Sequence, residues 1–170
     1  MKKILLLVAI GVIVYTSCKK NPVEGLDQYV YAENSDNTTF KSTYPDAGFR
    51  SVIKKDTLYV RGSSGEDHLT IRLINKGAGV YRSPDLDAML YTTVGQDVVV
   101  RTYHLNTDPA NIVKITDIDQ GIVKGTFDLT FKETTRGMTG TPSTLTLSNG
   151  RLRSKINNDK LDLELFFKIY

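Results

Sequence analysis

Serine, acidic residues and histidine stand together at Ser63-Ser64-Gly65-Glu66-Asp67-His68. These are the side chains of a hydrolase triad. A triad needs a Ser–His and a His–Asp hydrogen bond plus an oxyanion hole, normally assembled from distant segments. Neighbours in one short loop seldom reach that geometry, so the segment reads as a polar turn. Asp117-Ile118-Asp119-Gln120-Gly121 places two carboxylates two residues apart beside a turn glycine. Calcium loops use such spacing, but they need further oxygen ligands and a closing Glu at the twelfth position. Counted from Asp117, that position is Asp128, on an expected strand. A plain hairpin is the reading here. His68 and His104 are the two histidines. Zinc wants three or four ligands, which only carboxylates are left to complete, so no metal and no cofactor are expected. Tyr29, Tyr31, Tyr59, Tyr81, Tyr91 and Tyr103 could form a stacking platform for glycan or peptide. Strand alternation also explains them as half-buried side chains with wet hydroxyls.

One further side chain could do chemistry, the single cysteine, Cys18. It excludes an intrachain disulfide, and a lone cysteine in an exported chain calls for an intermolecular partner or a modified thiol. Its surroundings favour modification. Met1-Lys2-Lys3 is a short positive start, Ile4 to Val14 is apolar with one glycine, and Tyr15-Thr16-Ser17 leads to Cys18. A helix over that apolar run spans about 16 Å, roughly half a bilayer core, too short for a lasting span. Charge, short apolar stretch and small closing residues make a secretory signal over residues 1–17.

The segment resembles a bacterial lipoprotein signal, whose lipobox ends in a small residue followed by cysteine. Thr16-Ser17-Cys18 carries the likeness, and Tyr15 stands where that family usually has an aliphatic residue. The resemblance implies cleavage between Ser17 and Cys18, a diacylglyceryl thioether on Cys18 and an acyl chain of the palmitate class on its α-amine. One chain holds a protein to a membrane only marginally, at about 0.8 kcal/mol per buried methylene, whereas two or more hold it firmly. The membrane is then an expected partner, reached through lipid on Cys18, beside an envelope protein, glycan or small ligand that the sequence does not identify. Residues 18–25 read as lipidated cysteine and tether. The seven residues Lys19 to Gly25, broken by Pro22 and Gly25, reach roughly 20 Å when extended. Surface-exported lipoproteins of the Bacteroidota type commonly carry acidic residues just after the cysteine. Lys19-Lys20-Asn21 is not acidic, which argues for an outer-membrane protein facing the periplasm.

Composition suits a folded body behind that tether. The 170 residues fit one domain, and a body near this size buries roughly 70% of its unfolded surface without staples. Net charge is +3 with 22 basic and 19 acidic residues, and losing Lys2 and Lys3 leaves the chain near +1. Basic residues are interleaved with acidic ones, so no concentrated face for nucleic acid is present.

The positioning elements are strands. Leu69, Ile71 and Leu73 alternate with His68, Thr70 and Arg72, Phe127, Leu129 and Phe131 alternate with polar neighbours, and Leu161, Leu163, Leu165, Phe167 and Ile169 alternate with Asp162, Glu164, Phe166 and Lys168. A period of two puts each apolar set on one face of a strand. Thirteen segments are expected: 28–33, 38–43, 48–54, 57–61, 68–74, 79–82, 88–93, 97–105, 111–117, 121–134, 144–148, 151–156 and 161–169. Asp85 to Leu90, after Pro84, suits a single helical turn, and no other helix is indicated. Asn149-Gly150 predicts a two-residue hairpin, since both positions tolerate positive φ. Asn34–Asn37, Gly62–Gly65, Asn75–Gly77 and Asn157–Asp159 predict further turns, and Thr134–Ser143 a long loop. The class is all-β, an antiparallel sandwich or partly open barrel over residues 26–170.

Ala78-Gly79-Val80-Tyr81, Ala88-Met89-Leu90-Tyr91, Ile115-Thr116, Gly125-Thr126-Phe127 and Asn149-Gly150 resemble a family of Bacteroidota lipoproteins of unknown function, over most of residues 26–156. That likeness implies an all-β envelope domain and supplies no catalytic residues. The expected function is a non-enzymatic, membrane-tethered binding or assembly module. A small apolar-ligand carrier with a hollow barrel, and an enzyme of unfamiliar type, are the alternatives.

Overall fold

The computed structural model describes residues 22–52, 55–74, 77–95, 98–134 and 144–157. It is all-β, with no helix among the described residues. Eleven strands follow in order: β1 (Tyr29–Asn34), β2 (Thr39–Ser42), β3 (Asp46–Val52), β4 (Lys55–Ser64), β5 (Asp67–Ile74), β6 (Gly79–Tyr81), β7 (Leu86–Val94), β8 (Val98–Leu105), β9 (Ile112–Asp119), β10 (Ile122–Glu133) and β11 (Thr144–Lys155). They make one antiparallel sheet in the order β2-β1-β11-β10-β8-β7-β5-β4-β3, with β9 and β6 branching from β10.

The sheet curls until its ends approach without closing. Ala47 of β3 forms an isolated bridge with Ile156, just past β11, and Asn157 N–H donates to the Ala47 carbonyl at 2.7 Å. Lys41 N–H of β2 donates to Ser64 Oγ of β4 at 3.1 Å. Gly62 makes this approach possible, because a Cβ there would lie 3.0 Å from that of Ser42 and 3.2 Å from that of Val30. The result is the partly open form of the expected architecture.

The concave face is apolar. Val30, Phe40, Leu58, Val60, Leu69, Ile71, Leu73, Leu90, Phe127, Phe131, Leu147 and Leu152 are all buried there in one cluster. Tyr81, 1% exposed, crosses into it and donates its hydroxyl to the Gly77 carbonyl at 2.5 Å.

Three expectations are corrected. Asn149-Gly150 is not a hairpin: β11 runs straight through it, and the expected segments 144–148 and 151–156 are one strand. Leu147 and Gly150 pair with Leu129 and Phe127 of β10, and Ser148 and Arg151 pair with Glu33 and Tyr31 of β1. The pair is a bulge that adds one residue to β11 against both neighbours. Asn149 takes φ 53°, its N–H donates to Asp128 Oδ1 at 2.9 Å, and its Nδ2 donates to Glu33 Oε2 at 2.8 Å. Strand partners on both sides leave no edge for a fold-back. Second, Asp85–Leu90 is no helical turn. Ser83–Asp85 is a turn with a cis Ser83-Pro84 bond, and Leu86 begins β7 in register with Leu73 of β5. Third, Gly62–Ser64 belong to β4, and Gly65-Glu66 alone makes the turn, with Gly65 at φ 62°. The Asn34–Asn37 turn is as expected, with Asn37 at φ 65°. The segment 161–169, residues 75–76 of the Asn75–Gly77 turn and most of the 134–143 loop lie outside the described residues.

The fork at β10 has its own clasp. Ile122–Asp128 pair with β9, and Phe131–Glu133 pair with β8 on the same edge. Between them, buried Asn111 accepts from Thr130 N–H at 2.7 Å. Its Nδ2 donates to the Asn106 carbonyl at 2.9 Å and to Asn106 Oδ1 at 2.8 Å. Asn111→Ala strands this amide and is expected to lower stability by about 1–3 kcal/mol, read by urea unfolding. A loss under about 0.5 kcal/mol contradicts a clasping role.

Candidate functional site

A concavity of about 230 Å³ lies on the convex face of β3, β4, β5 and β7. Register sets its lining. Asp46, Arg61, Thr70 and Met89 stand directly opposite one another across the four strands, and Ser63, His68 and Tyr91 form the next row. Tyr44, 92% exposed on the β2–β3 connection, stands at the rim.

His68 is the centre of the site. Ser63 Oγ lies 2.8 Å from its Nδ1, Thr93 Oγ1 lies 3.3 Å from its Nε2, and its ring stacks on Tyr91 at 4.7 Å between centroids with planes 20° apart. Arg61 is paired with Asp46. Tyr59 lines the cleft yet is 3% exposed.

Alternation takes the third triad group away. Asp67 and His68 are consecutive in β5 and face opposite sides of the sheet. Asp67 accepts from Thr92 Oγ1 at 2.6 Å, while the second nitrogen of His68 meets a threonine. Ser64, on the concave side, accepts from Lys41 N–H. The Ser-Asp-His segment therefore brings together a Ser63–His68 pair without an orienting carboxylate.

Burial holds the His68 imidazolium pKa below its ordinary value, against the opposing pull of Asp67. A depressed folded pKa means that the unfolded chain binds more protons in the intervening window. Stability is therefore complete above the unfolded value near 6.5 and falls as pH drops through the folded value. Wild-type protein should lose thermal stability between neutral and mildly acidic pH by more than His68→Gln does. Parallel curves for the two proteins contradict the assignment.

Asp117 pairs with Lys124 at 2.8 Å. Gln120 at φ 49° and Gly121 at φ 73° form the two-residue turn between β9 and β10, the hairpin expected there. Asp128 instead binds Asn149 N–H. His104 sits on β8 opposite Met89, exposed and apart from His68. Among the described residues no group of three or more His, Cys, Asp or Glu side chains could hold a metal.

Of the six tyrosines, Tyr59 and Tyr91 reach the cleft, Tyr81 and Tyr103 are buried in the core, and Tyr29 and Tyr31 are half-buried on β1. Tyr44, Arg61 and Asp46 were not legible as site residues. Their only sequence signal is alternation, which places Arg61 on the face opposite Val60. Cys18 and Ser17 lie outside the described residues. Pro22–Gly25 form a turn in which Val23 is 5% exposed.

No curated protein matches the chain, and no solved structure does. A family match spans residues 30–153, which contain every strand from β2 to β10 and most of β1 and β11. By that match the chain belongs to the family described as Domain of unknown function (DUF6252).

Proposed function

We propose that this chain is a lipid-anchored, non-enzymatic binding module of the bacterial cell envelope, and that it takes a glycan on the convex cleft. The anchor reading is supported by the Lys-rich start, the short apolar run and Thr16-Ser17-Cys18. Val23, five residues after Cys18, is already buried against the domain, which supports a short tether.

One observation carries the binding reading: aromatic faces and hydrogen-bonding groups share a single open cleft. Tyr44, Tyr91 and His68 offer flat rings, and Asp46, Arg61, Ser63 and Thr70 offer donors and acceptors beside them. Sugars present the matching surface, with C–H faces for rings and hydroxyls for polar groups. The apolar-carrier alternative needs an empty interior, whereas Phe40, Phe127, Phe131 and Tyr81 are among the side chains that occupy the core.

Two measurements test the reading. Cys18→Ser should move the protein from the membrane to the soluble fraction with loss of acyl mass, and an unchanged distribution refutes the anchor. Soluble envelope oligosaccharides should shift the amides of Ser63, Thr70 and Tyr91, with Tyr44→Ala weakening binding about tenfold, about 1.4 kcal/mol. Oligosaccharides that leave those amides unmoved refute the glycan reading.

A further inference from the structure

A second concavity opens at one end of the curled sheet, independent of the convex cleft. It measures about 100 Å³ and is lined by residues of β1, β2, β5, β7, β8 and β11 and of the β1–β2 turn. Strand register explains its polarity. Asp67, Thr92 and Arg101 are directly opposite one another on β5, β7 and β8, and they continue the inward-facing rows of Leu69, Leu90 and Tyr103. Three polar side chains therefore stand on the concave face where the apolar core ends.

Their hydrogen bonds are incomplete. Asp67 accepts from Thr92, and Asn34 Nδ2 donates to Thr38 Oγ1 at 2.6 Å. Arg101 Nε and Asn34 Oδ1 are buried and meet no partner. A buried donor or acceptor left unmade forfeits its bond to water without replacement, so two around one small cavity mark a place for something that supplies both roles. Carboxylates of Asp67 and, at the rim, Asp36 stand with them, over a floor of Phe40, Leu90 and Leu145.

We propose that this end of the curled sheet binds a small zwitterion of the free amino-acid class. Its carboxylate meets Arg101, its ammonium meets Asp67, Asp36 and Asn34 Oδ1, and its short side chain lies on the apolar floor. An isolated anion would face the two carboxylates. An isolated ammonium would leave Arg101 Nε unanswered. The concavity is small, which suits the smallest amino acids.

The test titrates the full chain, in detergent micelles where it comes with membrane, with glycine, alanine, acetate and methylammonium, read by amide shifts and calorimetry. Glycine or alanine should shift Asn34, Thr92 and Arg101 at millimolar concentration, at least tenfold more tightly than acetate or methylammonium. Arg101→Gln and Asp67→Asn should each weaken binding tenfold or more. His68→Gln, in the other cleft, should leave it unchanged, so failure here is distinct from failure of the glycan reading. Should Arg101→Gln not fold, Arg101→Lys keeps the charge and loses the Nε donor, and it should weaken binding too. No shift with either amino acid, an equal response to acetate, or a crystal grown with glycine in which only waters meet Arg101 Nε and Asn34 Oδ1 overturns the proposal.

Discussion

Gly150→Ala is expected to destabilise the domain by about 3 kcal/mol, the upper end of what overpacking costs, in urea unfolding. The reason lies in the bulge of β11. A Cβ on Gly150 would stand 2.4 Å from Cδ2 and 2.5 Å from Cε2 of Phe127, and 2.5 Å from the Phe127 carbonyl oxygen. The ring is 1% exposed and has nowhere to turn, and the carbonyl belongs to the β10 backbone. Gly65→Ala is the comparison. Its surroundings are open and only its φ of 62° is unfavourable, so its cost is about 1–2 kcal/mol. If Gly150→Ala proves no worse than Gly65→Ala, the close approach of β10 and β11 is wrong. Phe127→Leu in the Gly150→Ala background should recover part of the loss, from the ring but not from the carbonyl, giving the two sites a coupling energy of opposite sign to their single costs.

Phe131→Ala should remove about 3–5 kcal/mol, as loss of a buried phenylalanine does where the site cannot collapse. Phe131 is wholly buried and lies between Leu105 of β8 and Leu145 of β11. There the sheet divides, so β10 is held on both edges and cannot shift to fill the void. At a urea slope near 2 kcal/mol per M the midpoint falls by about 2 M. A slope that also falls would mean a less compact native state. A midpoint shift under about 0.5 M would show that the fork tolerates repacking.

The alternation of Leu69, Ile71 and Leu73, and of Phe127, Leu129 and Phe131, was enough to read both the strands and their buried faces, because a two-residue period is a local property. Strand partners are not local. Asn149-Gly150 tolerates the left-handed backbone of a hairpin and equally that of a bulge. Only the presence of β1 and β10 on either side of β11 decides between them. Asp85–Leu90 was misread for a related reason: the apolar positions Leu86, Ala88 and Leu90 fit a period of two, and Pro84 pointed to a helix start that pairing with β5 overrides. At the convex cleft, Ser63 and His68 drew notice as neighbours, but the groups that complete the site, Tyr91, Thr93 and Asp46, come from other strands. Arg101 was the hardest to see. It follows Val98-Val99-Val100, and nothing in that run says that the arginine points inward.

Val30 near the start of the domain pairs with Leu152 near its end. The hairpin partner of β1, β2, follows at once, but the strand on its other edge, β11, is the last described one to be made. Such end-to-end pairing closes a very long loop, which slows folding. Local hairpins such as β3–β4–β5 can form on the way, but the sheet is whole only once its final described strand has been laid between β1 and β10.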